Sequence, residues 1–329
     1  MIMFKSVPKL SSKSKRPVWS ISIYKGNSPF GLSSDSINNP VLTAEDVIDV
    51  PAEFIADPFM IRFQDQWHMF FEVYNKNTGK GCIGLASSQD GVHWEYQQIV
   101  ILESFHMSYP NVFMWKDELY MIPETCETNS IRLYKSTKTP TEWEYLGDIM
   151  KGYFVDSTIF EYNDKLWMFT RSSDRDKLRL YFSEGLLDVW HEHPMSPIVM
   201  NKHIARPSGK VVSWENRIYR FTQDIEPYYG KRVNAFEITK LTISEYKESK
   251  TSFLLEGTGH PGDWNADGMH HIDAHQLGED LWLACVDGHR FIERNKYLRK
   301  IESMYVVLKF RISRMFKMMK SSKKKGLIF

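Results

Sequence analysis

Residues 57–72 read DPFMIRFQDQWHMFFE, and the phrase returns as YPNVFMWKDELYMIPE at 109–124 and as DSTIFEYNDKLWMFTR at 156–171. Each copy is an apolar run, a short polar turn and a second apolar run. The turn acids Asp65, Asp117 and Asp164 share one offset, and the copies close on Glu72, Glu124 and Arg171. Apolar runs on both sides of such a turn predict a tight β-hairpin. Looser copies begin at Arg206-Pro207 and near Ile272-Asp273. A repeat of roughly fifty residues built from short strands is the signature of a propeller or solenoid.

Each hairpin is followed by further strand-like segments. CIGLASS and WEYQQIVIL follow Glu72, IRLYKST and WEYLGDIM follow Glu124, and LRLYFSE and PIVM follow Arg171. Four strands per unit and five units predict an all-β fold, a five-bladed β-propeller. The segment VWSISIYKGNSPF at 18–30 is expected to complete the last blade, which closes the ring and removes an exposed sheet edge. Two packed β-sandwiches are the alternative, but a sandwich has no need of five matched hairpins. The expected organisation is a basic N-terminal segment at 1–17, the propeller at 18–291 and a basic tail at 292–329.

The chain of 329 residues can bury a large core, and 14% aromatic content suits packed blades. Aromatics near the central funnel could also stack on sugars. Cys82, Cys126 and Cys285 are widely spaced and odd in number, so no disulfide framework or metal spacing is visible. The N-terminus lacks the apolar core of a secretory signal, and no stretch is long enough for a transmembrane helix. A cytoplasmic protein is expected. The net charge of +1 conceals an asymmetry: residues 290–329 carry +11, leaving −10 on the rest. An acidic body excludes a nucleic-acid binder, which would spread positive charge over its folded surface. In the tail, Ile301, Met304, Tyr305, Leu308, Ile312, Met315, Phe316 and Met319 recur at helical steps between basic residues, followed by Lys323, Lys324 and Lys325. This basic amphipathic helix over 301–325 would either lie on an anionic membrane surface, peripheral on its inner face, or pack on the body.

In a propeller the inner strand of each blade starts at the central axis, and its antiparallel neighbour ends there. The two ends of each hairpin should therefore meet. This collects Asp57, Glu72, Tyr109, Glu124, Asp156, Arg171, Arg206, Gln223, Asp224 and Asp287, with His270 and His271 just ahead of the fifth inner strand. Crowded carboxylates repel, so one or more should hold a raised pKa, and such pairs do acid and base work at sugar centres. Asp57, Glu124 and Asp156 are the expected catalytic residues. Glu72, Tyr109, Arg171, Arg206, Asp224, His270, His271 and Asp287 are the expected substrate-binding residues. The two arginines could clamp phosphate or carboxylate, or could pair with funnel acids. The histidines are read as sugar ligands; neither a metal nor a cofactor is expected. Asp65, Asp117, Asp164 and Asp280 are read as turn formers.

The openings Asp57-Pro58 and Asp156-Ser157-Thr158 resemble the five-bladed glycoside hydrolases of the arabinanase, levansucrase and invertase clan. The resemblance implies that Asp57 is the base or nucleophile and that Asp156 tunes the acid. That clan's acidic glutamate falls where this chain reads HIARPSG, with Ala205 or Arg206, so Glu124, Glu72 or Asp224 would have to serve. Over 18–291 the set ADPF, SYP, MIPET, VDST, ARPSG, TQD, the histidine pair and VDG is similar to the N-terminal domain of the glucosamine inositolphosphorylceramide transferase family. That resemblance implies a sugar-related propeller, found also in bacterial proteins of surface polysaccharide synthesis. In the plant members a glycosyltransferase domain follows.

Three functions fit. The first is glycosyl transfer in surface polysaccharide or glycolipid synthesis, with a sugar or nucleotide-sugar donor and a glycan or lipid-linked acceptor. The second is a glycoside hydrolase or sugar phosphorylase. The third is a non-catalytic sugar-binding scaffold.

Overall fold

The computed structural model describes residues 13–35, 37–172 and 177–295. Among them, strands form five separate antiparallel sheets, which are the five blades. Blade I comprises Ala52–Phe63, Gln66–Asn75, Lys80–Ser88 and Glu95–Ile101. Blade II comprises Ser108–Trp115, Glu118–Glu124, Ser130–Lys138 and Glu142–Lys151. Blade III comprises Phe154–Tyr162, Lys165–Ser172, Leu178–Ser183 and the short His191–Glu192. Blade IV comprises Arg206–Pro207 with Val212–Trp214, then Arg217–Asp224, Arg232–Leu241 and Tyr246–Glu256. Blade V runs Gly268–Gly278, Leu281–Asn295, Lys13–Gly26 and Leu32–Ser33, so the N-terminal strand completes the last blade as the sequence predicts. The compact unit spans Trp19–Arg290. The expected tail helix at 301–325 lies outside the described residues.

The hairpin turns follow from their residues. Gln64-Asp65, Lys116-Asp117, Asn163-Asp164 and Glu215-Asn216 each place two consecutive residues at positive φ, between 49° and 62°. Two left-handed central residues define the turn whose twist matches the flanking strands, and Asp and Asn tolerate that backbone best.

Ring closure is visible in the core. Five apolar clusters lie one at each junction between neighbouring blades. Ile21, Ile23 and Leu283 of blade V meet Ile55, Met60 and Phe71 of blade I. Phe59 and Phe70 meet Val112 and Met121 between blades I and II. Ile122 and Leu133 meet Ile159 and Met168 between II and III. Phe169 and Leu180 meet Ile218 and Ile238 between III and IV. Phe221 and Val233 meet Met269 and Ile272 between IV and V. Five blades with five junctions leave no open end, and burying each such side chain contributes about 1.5–3 kcal/mol.

Two details differ from the sequence expectation. His270 and His271 lie inside the fifth inner strand, not ahead of it. The inner strand of blade IV is broken between Pro207 and Val212. Gly209 occupies the break at φ +116°, where a Cβ would stand 1.7 Å from the Ile272 carbonyl oxygen. No side chain fits there, so the backbone of blade IV approaches blade V directly.

Candidate functional site

The strand pairing brings the two ends of each hairpin together. Ala56 faces Glu72, Ser108 faces Glu124, Val155 faces Arg171, Arg206 faces Gln223 and His271 faces Asp287. Beside three of these pairs the inner strand carries a bulge whose residue is left-handed: Asp57 at φ +54°, Tyr109 at +46° and Asp156 at +51°. A left-handed residue other than glycine costs about 1–2 kcal/mol, and a bulge re-aims a side chain. The result is a buried cup containing Asp57, Glu72, Glu124, Asp156 and Asp287, all under 10% exposed.

Blade-to-blade hydrogen bonds fix the floor. The Asp57 N–H donates to Asp287 Oδ2 at 2.9 Å, and the Tyr109 N–H donates to Asp57 Oδ2 at 3.2 Å. One oxygen of Asp57 thus performs structural work, while Oδ1 lies 3.8 Å from His270 Nε2 and 4.0 Å from His271 Nδ1. His270 Nδ1 bonds Asp287 Oδ1 at 2.8 Å, and Trp19 of the closing strand stacks on its ring at 4.0 Å between centroids. Arg206 grips Asp156 through Nε and again at 3.3 Å through its second guanidinium nitrogen, which lies 3.8 Å from Glu124 Oε2. Gln223 donates to Asp156 Oδ2 at 2.9 Å.

These contacts set the protonation states. Burial raises Asp57 to about 7, with the charges of Asp156 and Asp287 adding to the rise and His270 and Arg206 opposing it. Burial and then Asp156 raise Glu124 to about 8. Burial and the surrounding carboxylates hold Glu72 well above its usual range. Burial would raise Asp156 too, but Arg206 outweighs it and keeps that carboxylate below its ordinary value. Burial would likewise raise Asp287, which His270 keeps low. Burial would lower His270, but its two carboxylate neighbours raise it. His271, without a hydrogen-bond partner on either ring nitrogen, is driven by burial down to about 4. The cup therefore holds ionised Asp156 and Asp287 beside a protonated Glu124.

The family model for "Glucosamine inositolphosphorylceramide transferase 1, N-terminal" matches residues 12–289. The chain belongs to this family. The glucosamine inositolphosphorylceramide transferase 1 of Oryza sativa subsp. japonica is 34% identical over 297 residues, covering 83% of this chain and 40% of that protein. The protein of the same name from Arabidopsis thaliana is 32% identical over 308 residues, covering 86% and 40%. The chain thus spans about 40% of the length of these curated relatives. Among solved structures, a putative glycoside hydrolase from Parabacteroides distasonis superimposes with a TM-score of 0.56 at 10% identity, over 75% of this chain and 93% of that one. A GH32 β-fructofuranosidase from Bombyx mori gives 0.53 at 16% identity, over 76% and 58%. These two likenesses are of fold.

Within this family member eight of the eleven predicted site residues come together and three do not. Asp57, Glu72, Glu124, Asp156, Arg206, His270, His271 and Asp287 converge in the cup. Tyr109 is 0% exposed, and its hydroxyl is held at 2.8 Å by Thr158 and at 2.7 Å by the Gly209 N–H, so it acts as a post under the cup. Arg171 is buried at the end of its strand. Asp224 points away from its neighbour Gln223, as successive strand residues must, and pairs with His203 at 2.9 Å and Arg232 at 3.0 Å. Gln223, not Asp224, is the blade IV residue that reaches Asp156. Asp57, His270 and Asp287 also bring one ligand atom each within 4.8 Å of one another, the spacing of a cation site. His270 lies between those two carboxylates, 2.8 Å from Asp287 Oδ1 and 3.8 Å from Asp57 Oδ1, and both raise its pKa. Tyr229, on the 225–231 loop, has no periodic position and is invisible to repeat alignment. Its ring crosses His270 edge-on at 5.1 Å and lies 5.0 Å from the Arg206 guanidinium.

Proposed function

We propose that this propeller catalyses glycosyl transfer onto a glycan or glycolipid acceptor, with Asp57 as base and Glu124 as acid. The observation that carries the reading is the division of labour within one buried cup. Asp57 is poised near neutrality, while Glu124 is kept protonated beside an ionised Asp156. Asp57 takes the proton of the acceptor hydroxyl as that oxygen bonds the anomeric carbon. The bond from that carbon to the leaving oxygen breaks, and Glu124 supplies a proton where the leaving oxygen needs one. Asp156, neutralised in part by Arg206, stabilises positive charge developing on the sugar. Arg206 is therefore a partner of the cup acids. Glu124 answers the absence of a glutamate in HIARPSG, because it approaches the same Asp156–Arg206 pair from blade II.

The relatives named as transferases, and the sugar-type cup, support this reading. So does the strong basic charge at 290–329 for a seat on an anionic inner membrane face in the cytoplasm, where a lipid-linked acceptor would lie. A hydrolase or phosphorylase is favoured by one observation, the fold shared with glycoside hydrolases.

Product analysis separates these readings. Wild-type protein and Asp57→Asn are offered nucleotide-sugars with a lipid-linked acceptor, inorganic phosphate or water alone. Transfer to the acceptor that disappears in Asp57→Asn supports the proposal. Free sugar or sugar phosphate as the main product moves the assignment to the hydrolase or phosphorylase. No product leaves a sugar-binding scaffold, and product unchanged in Asp57→Asn removes Asp57 from the chemistry.

A further inference from the structure

The cup has a polar floor and an aromatic rim. Among the described residues, three phenylalanine, tyrosine or tryptophan residues are exposed: Tyr145 at 44%, Tyr153 at 47% and Tyr229 at 44%. Tyr145 bonds Asp148 at 2.6 Å on an outer strand. The other two adjoin the cup. Tyr153 stands three residues ahead of Asp156 and beside the Cys126 thiol, which donates to Glu124 at 3.2 Å. Tyr229 reaches the opposite pair of groups, His270 and Arg206.

Tyr229 is not loosely placed. On one side of Tyr229, Tyr228 donates to the Asp267 carbonyl at 2.7 Å. On the other, Gly230 sits at φ +76° so close to Trp19 that a Cβ would stand 2.2 Å from the indole. The loop thereby holds Tyr229 in the field of Arg206, Asp57, Asp156 and Glu72, with the residue 44% exposed. The position of Tyr153, three residues ahead of the axis residue, supplies flat side chains in two further blades: Phe54 ahead of Asp57 and His106 ahead of Tyr109. Phe54 stacks on Tyr74 at 5.0 Å, and His106 lies 3.6 Å from Glu72 Oε1.

Exposed tyrosines beside a buried set of polar groups match one class of ligand. A pyranose has a C–H face for the ring and hydroxyls for the acids. Glu72 Oε1, Glu124 Oε2 and Gln223 Oε1 have no hydrogen-bond partner among the described residues, so the floor holds polar atoms left for hydroxyls, which both donate and accept. We propose that Tyr153 and Tyr229 wall a second sugar subsite at the mouth, which takes the pyranose ring next to the one held in the cup. The protein thereby selects a chain of at least two sugar rings over a single one. This rests on the carbohydrate reading given above and names its substrate class as an oligosaccharide.

The test uses the full chain on an array of pyranose mono-, di- and trisaccharides. Wild-type protein should hold a disaccharide about tenfold more strongly than its component monosaccharides, the scale of one aromatic stacking contact. Tyr153→Ala and Tyr229→Ala should each lose most of that excess, read as the disaccharide-to-monosaccharide ratio in protein shown to be folded. Tyr153→Phe and Tyr229→Phe keep the ring and should keep the excess. If the alanine variants retain the wild-type ratio within about a factor of two, well below one such contact, the subsite is wrong. Wild-type protein that holds monosaccharides as firmly as disaccharides also overturns the subsite and leaves the carbohydrate reading of the cup standing. Failure to retain any glycan overturns both.

Discussion

Asp57 and Asp65 stand at opposite ends of one strand with almost the same backbone, φ +54° and +59°, and they serve opposite purposes. Asp156 and Asp164 repeat the contrast in blade III at +51° and +58°. At the outer end the left-handed aspartate makes a hairpin turn, with the Asp65 side chain 99% exposed. At the inner end the same conformation makes a bulge that aims the carboxylate at the axis, where Asp57 is 5% exposed and Asp156 is 1% exposed. Residue type and local backbone are nearly identical, so neither confers function. Function comes from desolvation and from the neighbours supplied by other blades.

The sharpest way to break this comparison is to remove charge at each end. Asp57→Asn should lower turnover by about 10²–10⁴-fold and leave the fold intact, because Asn tolerates the left-handed backbone and can still accept from the Tyr109 N–H. If activity survives, the inner aspartate is only another turn residue. Breaking the buried Arg206–Asp156 pair with Arg206→Met should destabilise the protein by about 3–5 kcal/mol, since it strands a buried carboxylate. Chemical denaturation measures this. A loss no greater than that of a surface substitution would show that the cup admits enough water to solvate Asp156.

The pH dependence sharpens the contrast. Activity needs Asp57 ionised and Glu124 protonated, which predicts a narrow optimum between about 7 and about 8 as a property of the coupled cup. Glu124→Gln should flatten the alkaline limb of that profile along with reducing the rate. Stability should follow the same groups. A buried acid whose folded pKa is raised binds more protons folded than unfolded. Its stabilising contribution is full below the ordinary carboxylate range and is lost as pH rises through the folded value. Buried His271, whose pKa is lowered to about 4, acts in the opposite sense below about pH 6.5, so the readout is the difference between proteins: Asp57→Asn should gain melting temperature relative to wild type as pH rises from about 4 to about 7. Parallel profiles for the two proteins would show that Asp57 is solvated. The smallest effect is expected at the outer end. Asp65→Asn should leave activity unchanged and shift melting by about a degree or less, as surface changes at a compatible turn do.

The sequence carried the blades further than it carried the cup. Hairpin periodicity located every inner pair, because a strand exposes its two-residue period and its turn chemistry locally. The closing role of VWSISIYKGNSPF was legible for the same reason, since an unpaired strand ahead of five repeats has one sheet edge to satisfy. Gln223 and Asp224 show where that reading stops. They adjoin on one strand end, and only the register decides that Gln223 faces the axis and Asp224 faces His203 and Arg232. Tyr109 matches Asp57 and Asp156 in the repeat yet closes its hydroxyl on Gly209 and Thr158, contacts made across blades. Tyr229 lies in a loop outside the period, so no repeat could point to it.

By itself the chain determined its all-β class, its five hairpins and the acids standing at the axis end of four of them, because alternation and turn preference act between residues close in sequence. Only the tertiary structure decided which of those acids carry a proton. That depends on water being excluded by five blade junctions and on Arg206, Asp156, Glu124 and His270 arriving from different blades, and both are effects of distance in space that no local pattern records.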